Sequence, residues 1–413
     1  MNTRKANFTV IFLVIFIDLL GFGIIIPLLP YFSEGVLQMN KTSIGLLTGI
    51  YSLMQFVFTP VWGSLSDVYG RKPILIMSLA GNVVSYFLMS LVFSNVIISI
   101  PLLFISRMLA GFFSANLSAA QAVVSDITTV EERSKGMGVI GAAFGLGFVF
   151  GPSLGGFLSH YFGYGVPIIL STLFSLTALI ICVSIFKETL PEDLRIHNKN
   201  KFSFAGVKVI NFKAVHDVVK NKNVGIYVVI FFFITFSFAN IFGNFQYFLA
   251  RKDGLNLDAE AAGFMLSFLG ITAAIVQSSL IKPFKKFIGE KKSVIFGNLL
   301  VCVGIFFIPF STSAIFLIGV LIVLGFGNGL NNAMTLGLIS QNVSRDEQGG
   351  VLGINQSLSS LARFLGPLWG GFIYDKLDYH SPFISGAIFM LLITLIAAMV
   401  LRNRRIAANS MNP

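Results

Sequence analysis

The sequence predicts an all-α membrane protein with twelve transmembrane helices in two six-helix halves. The 413-residue chain is 55% hydrophobic and only 11% charged, whereas soluble domains carry roughly 25% charged residues. Its apolar residues form runs of about 20 or more, the length that a membrane-spanning helix needs, without the alternation of a β-barrel. The predicted spans cover residues 8–32, 44–66, 73–94, 97–124, 136–160, 164–187, 223–250, 259–282, 292–310, 313–341, 347–374 and 381–401.

This composition excludes disordered proteins, disulfide scaffolds and nucleic-acid binders. The two cysteines, Cys182 and Cys302, lie within apolar runs, and the four histidines are far apart in the sequence. We therefore expect no disulfide, no metal site and no cofactor. The first apolar run is too long for a cleavable signal peptide and is expected to remain as the first span.

The basic residues predict the orientation of the chain. With both termini placed in the cytoplasm, 23 of the 29 lysines and arginines fall in cytoplasmic segments, as the positive-inside rule requires. The net charge of +11 therefore reports membrane topology and not a nucleic-acid partner. We expect a multi-pass protein of the inner (plasma) membrane with cytoplasmic termini.

A polar segment and an internal repeat divide the chain. We predict an N-terminal half over residues 1–190, a cytoplasmic linker over 191–222, a C-terminal half over 223–401 and a cytoplasmic tail over 402–413. Two six-helix repeats with a site between them near the midplane are the usual construction of a secondary transporter. The repeat has a constant offset of 215 residues and relates Glu131, Glu132, Gly151, Pro152, Gly155 and Gly156 to Asp346, Glu347, Gly366, Pro367, Gly370 and Gly371.

The loop after the second span contains Gly63, Asp67, Gly70 and Arg71. A carboxylate, a glycine turn and a cation at a helix end suit a latch that pairs its charges in one state and releases them in another. An ordinary basic cytoplasmic loop is the alternative interpretation.

The fifth span carries small residues at four-residue spacing and a proline. Such spacing allows two helices to approach closely, and the proline interrupts the backbone hydrogen bonds. Generic helix packing competes with a transport-specific role for this string. The residues concerned are Gly147, Gly151, Pro152, Gly155 and Gly156.

Three charged residues are predicted within spans: Asp18, Arg107 and Arg363. Charges inside a membrane are costly and are usually functional. Asp18 is the only carboxylate well inside a span, which suits a proton carrier, although a permanent pair with an arginine is an alternative. We hypothesise that Arg363 pairs with an acid such as Asp18 or receives an anionic substrate group; support of helix packing is an equal alternative.

Further polar residues within apolar spans could line a substrate cavity. Each could instead form an interhelical hydrogen bond. The candidates are Gln55, Asn116, Asn240, Asn244, Gln246, Asn328, Asn332 and Gln356.

Together these strings resemble the major facilitator superfamily, and within it the twelve-span drug/proton antiporters, especially the tetracycline-exporter branch. The resemblance runs from the first span to Gly371. It implies that Asp18 is the intramembrane carboxylate, that Arg107 is the motif arginine in proton coupling, and that Asp126 joins the loop latch. It also implies that the fifth-span string is the exporter signature. Ser85 and Val301 stand where that branch has acids in spans three and nine.

The predicted function is proton-coupled export of small apolar or amphiphilic compounds, as in multidrug or tetracycline-like efflux, by alternating access. Proton-coupled uptake of a metabolite is the alternative within transport. A membrane enzyme would need a catalytic constellation, which the sequence lacks, and a scaffold would not need the intramembrane charges. The expected partners are a small-molecule substrate, protons and the lipid bilayer, and the protein is expected to be a monomer.

Overall fold

The computed structural model describes residues 3–129, 133–193, 195, 212–221, 224–343 and 348–410. The acidic pairs Glu131–Glu132 and Asp346–Glu347, most of the predicted linker and the end of the tail lie outside the described residues. Every regular element in the described part of the chain is helical. The all-α prediction is therefore confirmed.

Fifteen α-helices occur in the described residues. They are α1 (Thr3–Gly35), α2 (Lys41–Tyr69), α3 (Arg71–Phe93), α4 (Ile100–Phe113), α5 (Leu117–Asp126), α6 (Arg133–Phe162), α7 (Gly165–Ile185), α8 (Phe212–Lys220), α9 (Gly225–Leu249), α10 (Ala259–Ile275), α11 (Ile281–Phe287), α12 (Glu290–Phe307), α13 (Ala314–Gln341), α14 (Gln348–Lys376) and α15 (Ser381–Ser410). A 3₁₀ turn joins α4 to α5, and a π-helical turn joins α10 to α11.

Eleven helical segments in the described residues are long and apolar enough to cross a membrane. The fourth predicted span comprises α4 and α5, and the eighth comprises α10 and α11. The predicted span over 347–374 forms the 29-residue helix α14, which is not among the eleven. Its serines, amides and Arg363 lower its mean hydropathy. It is nevertheless long enough to span the bilayer at about 1.5 Å per residue.

The chain forms two compact units. The first comprises Met1–Met39, Leu47–Asn211 and Asp258–Ser267, and the second comprises Asn40–Leu46, Phe212–Leu257 and Phe268–Pro413. The beginning of α2, as far as Leu46, thus falls in the second unit, and the beginning of α10, as far as Ser267, falls in the first.

The same helix pairings occur inside each unit. In the first, α1 packs against α6 and α7, and α3 packs against α4 and α7. In the second, α9 packs against α14 and α15, and α12 packs against α13 and α15. The sequence repeat is therefore also a repeat of packing. Large apolar side chains such as Phe87 and Ile180 are exposed on the helix surfaces, as expected of a surface that contacts lipid.

Candidate functional site

The centre of the candidate site is the carboxylate of Asp18 on α1, which is only 5% exposed. Its Oδ1 accepts a hydrogen bond from Asn82 Nδ2 at 2.7 Å, and its Oδ2 accepts one from Asn116 Nδ2 at 3.2 Å. It forms no ion pair with any lysine, arginine or histidine in the described part of the chain. The carboxylate is thus held by two neutral amides.

A second layer of polar groups orients these amides. Asn82 Oδ1 accepts a hydrogen bond from Ser114 Oγ at 3.2 Å, while Asn116 Nδ2 also donates to Ser78 Oγ at 2.5 Å. Ser78 Oγ in turn donates to the carbonyl of Phe113 at 2.6 Å. All four polar side chains are buried, so the network is shielded from solvent.

A break in the fourth span brings Asn116 and Ser114 to this network. The turn Ser114–Asn116 leaves α-helical geometry, with ψ of 15° at its central residue. Side chains from α2 donate hydrogen bonds to carbonyls at the break: Trp62 Nε1 donates to the carbonyl of Phe112 at 2.6 Å, and Gln55 Nε2 donates to that of Ser114 at 3.3 Å. A broken helix is tolerated within a membrane where such partners replace the lost hydrogen bonds.

Arg107 on α4 is also buried, at 1% exposure. Its Nη2 donates to the carbonyl of Thr48 at 3.2 Å, and its guanidinium lies 4.9 Å from the ring centre of Tyr51. Its Nε and Nη1 have no hydrogen-bond partner among the described residues. The hydroxyl of the buried Tyr86 also has no hydrogen-bond partner among the described residues.

The loop predicted as a latch is an ion-pair network centred on Arg71. Its Nη1 lies 2.5 Å from Asp67 Oδ1 and 2.7 Å from Ser66 Oγ, and its Nε lies 3.1 Å from Asp126 Oδ2. The Arg71 side chain is almost fully buried. Gly63 packs against α5, where a β-carbon would lie 3.1 Å from a serine hydroxyl. The network therefore joins the end of α2 and the start of α3 to the end of α5.

Glu188 completes this network from the segment after α7. Its carboxylate accepts hydrogen bonds from the backbone nitrogens of Arg71 at 2.9 Å and Lys72 at 3.1 Å, where a helix N-terminus favours negative charge. Gly70 has a φ of 99°, and a β-carbon there would clash with the Glu188 carboxylate. This position therefore requires glycine, because a side chain would be strained at this φ and would collide with Glu188.

The glycines of α6 form its contact with α1. A β-carbon at Gly151 would lie 2.7 Å from the Cα of Gly23, and one at Gly147 or Gly155 would also clash with α1. Pro152 packs against the same glycine of α1. Three of the five residues predicted in this string, Gly147, Gly151 and Gly155, thus allow the backbones of α6 and α1 to come into contact.

Gly156 faces a different helix. A β-carbon there would lie 2.5 Å from the carbonyl oxygen of Ala259 at the start of α10. In the second unit the repeat-related Gly366 and Gly370 face α9, and Gly371 faces the first turn of α2. Corresponding glycines therefore make corresponding contacts.

Three predicted substrate residues on α9 are fully buried. Asn240 Nδ2 donates to the carbonyl of Pro382 at 2.6 Å, and Asn244 Nδ2 donates to the carbonyl of Asn240 at 2.8 Å. Gln246 is also inaccessible. The contact of Asn240 joins α9 to α15, which is the interhelical alternative that the sequence left open.

The remaining predicted residues have partly accessible side chains. Arg363 Nη2 donates to Ser360 Oγ at 2.9 Å within α14. The half-buried amides are Gln55, Asn328, Asn332 and Gln356.

Sequence reasoning missed Asn82, Ser78 and Ser114 around Asp18, and Glu188 in the Arg71 network. Asn82 satisfies the criterion used for the other amides, a polar residue in an apolar span, and could have been found. The serines carry no such signal because serines occur throughout the spans. Glu188 stands far from the loop in sequence, so only the packing of α7 beside α3 reveals it.

Comparison with known protein families gives a match over almost the whole chain. Residues 11–287 and 284–410 match the sequence profile of the Major Facilitator Superfamily. Multidrug resistance protein 2 of Bacillus subtilis (strain 168) is 30% identical over 421 residues, covering 100% of this chain and 99% of that protein. The class B tetracycline resistance protein of Escherichia coli is 27% identical, covering 91% of this chain and 89% of that protein.

Solved structures show the same fold. The human organic anion transporter MFSD10 (TETRAN) superposes with a TM-score of 0.68 at 22% identity, covering 96% of this chain and 100% of that one. The nucleoside transporter NupG superposes with a TM-score of 0.74 at 14% identity, covering 97% of this chain and 99% of that one.

Proposed function

Because the chain belongs to the Major Facilitator Superfamily, we propose that it is a proton-coupled exporter of small apolar or amphiphilic compounds that works by alternating access. Relatives that align over most of its length are named for multidrug and tetracycline resistance, which supports export of such compounds. The resemblance inferred from the loop, the fifth-span string and Asp18 thus agrees with the family match.

The observation that carries the coupling is the environment of Asp18. Keeping a buried carboxylate charged without a cation is costly, while the amides of Asn82 and Asn116 provide hydrogen bonds that favour the ionised form. Two opposing effects of this kind allow a group to bind and release a proton. Proton binding that differs between two conformations shifts the population between them.

Arg107 and Arg363 are proposed to take part in this coupling. The Nε and Nη1 atoms of Arg107 have no hydrogen-bond partner among the described residues and are available for a new partner when the helices move. Arg363 on α14 is proposed to receive an acidic group of the protein or of the substrate.

The Arg71 network is proposed to act as a cytoplasmic latch. It closes when Arg71 is paired with Asp67 and Asp126, and it opens when these pairs separate. A charge network of this kind gives two discrete arrangements rather than a continuous range. The half-buried amides Gln55 and Gln356 are proposed to contact substrate.

The protein is proposed to reside in the inner (plasma) membrane as a monomer with both termini in the cytoplasm. The distribution of basic residues supports this orientation. We propose that it needs no cofactor and catalyses no reaction.

Expression in an efflux-deficient host tests the proposal. We expect wild-type protein to lower the accumulation of ethidium or tetracycline, and an uncoupler to abolish this effect. Asp18→Asn should abolish it as well, while Asp217→Asn, which changes an exposed aspartate of α8, should export like wild type. Immunoblotting of membranes confirms equal amounts of protein.

Two results would contradict the proposal. Export by Asp18→Asn at the wild-type rate would remove this carboxylate from the coupling. Increased accumulation of a compound on expression would favour uptake by symport.

A further inference from the structure

A cluster of three titratable side chains joins the last turn of α6 to the first turn of α10, inside the first compact unit. His160 Nδ1 lies 2.7 Å from Asp258 Oδ2 and 3.5 Å from Glu260 Oε2. The imidazole and the Asp258 carboxylate are each about half exposed, so they can exchange protons with solvent. The proposed topology places these helix ends on the outer side of the membrane.

The backbones of the two helices meet beside this cluster. Gly156 contacts the carbonyl of Ala259, and Gly263 contacts the carbonyl of Pro152. Asp258 also caps α10, because its Oδ1 accepts a hydrogen bond from the backbone nitrogen of Ala261 at 3.0 Å. The carboxylate is therefore held in place to face α6.

The second unit has an equivalent contact with different chemistry. Asp375 on α14 lies 215 residues after His160, which is the offset of the internal repeat. Its carboxylate accepts hydrogen bonds from the backbone nitrogens of Lys41 at 3.2 Å and Thr42 at 2.7 Å, and from Thr42 Oγ1 at 2.6 Å. The same position in the fold thus carries an imidazole in one repeat and a carboxylate in the other.

This difference makes only one contact sensitive to physiological pH. Backbone N–H groups do not titrate, and aspartates ordinarily titrate near pH 4. Histidine is the side chain that changes charge between pH 5 and 8. Protonated imidazole also suits the last turn of a helix, where the helix dipole favours positive charge.

We propose that His160, Asp258 and Glu260 form a pH-dependent clasp that holds the outer ends of α6 and α10 together under acidic conditions. When the imidazole is protonated, a cation faces two carboxylates and closure is favoured. When it is neutral, the attraction is lost and the ends part more readily. The inference rests on the proposed function, since alternating access requires these ends to separate.

Three tyrosines also lie near the clasp. Tyr161 contacts the His160 ring from the same helix, and Tyr31 and Tyr164 interact with Asp258 from α1 and the start of α7. Burial and the Asp258 carboxylate raise the pKa of Tyr164 above its ordinary value. No lysine or arginine within the described ranges forms an ion pair with the cluster.

Distance measurement by electron–electron double resonance tests the proposal on the purified full chain in nanodiscs. Spin labels replace Phe162 and Phe264, which are 63% and 51% exposed on α6 and α10, after Cys182 and Cys302 are changed to alanine. Spectra are taken at pH 5.5 and 8.5 with a chelator present, which excludes bridging by a divalent metal.

We expect the ratio of the long-distance population to the short-distance population to rise about three- to fivefold between pH 5.5 and 8.5. This change corresponds to the interaction energy typical of an exposed charged pair. His160→Gln should remove this dependence, and His160→Arg should hold the short distance at both pH values. The matched control is His380→Gln, because His380 forms a similar pair with Asp378 at 3.3 Å; it should respond like the parent protein.

A distribution in the parent protein that does not change with pH, or a change that His160→Gln retains, would overturn the proposal. An ethidium export assay on the same variants separates this failure from failure of the proposed function. If export depends on Asp18 but His160→Gln leaves the distances responsive to pH, only the clasp is wrong.

Discussion

Asn82 on α3 and Asp18 on α1 share a buried hydrogen bond of 2.7 Å between the amide nitrogen and the carboxylate Oδ1. Asn82 is held in turn by Ser114, from the broken fourth span. The proposed proton-binding group therefore depends on three separate segments, and a change in any of them alters the hydrogen bonds available to it.

Replacing Asn82 by leucine removes one donor to the ionised form of Asp18. Loss of such a donor makes proton binding tighter, so the pH of half-maximal export should rise. A hydrogen bond to a charged group contributes about 1.5–3 kcal/mol, which predicts a displacement of about one pH unit or more. The measurement is ethidium export as a function of pH. The control is Asn298→Leu, which changes a buried asparagine of α12 and should leave the pH profile of export unchanged. An unchanged profile for Asn82→Leu would refute the prediction.

Arg71→Lys should weaken the proposed latch because one ammonium group cannot reproduce the forked guanidinium that contacts Asp67, Ser66 and Asp126. Loss of one hydrogen bond to a charged group predicts about a tenfold or greater fall in export rate. Transport of ethidium in cells with matched protein levels measures it. Lys72→Arg provides the control, since the Lys72 side chain donates to the carbonyl of Val183 and arginine retains that donor. Equal rates in the two variants would exclude a specific role for Arg71.

Glu188→Gln should loosen the start of α3 while keeping its hydrogen-bonding oxygen. The loss of charge at the helix N-terminus predicts a destabilisation of about 0.3–1 kcal/mol, visible as a lower unfolding temperature in detergent. The exposed Glu192 supplies the comparison, and Glu192→Gln should unfold like wild type. If both variants are as stable as wild type, the capping role of Glu188 is wrong.

Gly151→Ala should disrupt the contact of α6 with α1, because the added β-carbon would lie 2.7 Å from the Cα of Gly23. Overpacking of this kind costs about 1–3 kcal/mol and should lower the unfolding temperature. Gly145→Ala lies on the same helix with nothing within 4 Å of its β-carbon and should be neutral. Similar unfolding temperatures for the two variants would show that the contact does not require glycine.

The repeating pattern of apolar runs and glycines predicts the helices, the membrane fold and the family. These features are local or periodic, so composition and spacing report them directly. The 3₁₀ turn at Ser114–Asn116 contains no proline and leaves no signal in the sequence. It is stabilised by side chains such as Trp62 and Gln55 from another helix, and contacts of this range appear only in three dimensions.

The predicted polar residues illustrate the same limit. An amide in an apolar span looks alike in sequence whether it bonds to a neighbouring helix, as Asn240 does, or is partly accessible, as Gln356 is. The two kinds of amide differ in their burial, which depends on which helix packs beside each face of the span.

The most direct test of proton coupling through Asp18 is transport into inside-out vesicles with an acidic lumen. Wild-type protein should accumulate ethidium when the pH gradient is imposed and lose it when the gradient is collapsed. Asp18→Asn should fail to accumulate ethidium with the gradient, yet still exchange labelled for unlabelled ethidium without one. Gradient-driven accumulation by Asp18→Asn equal to that of wild type would contradict the account.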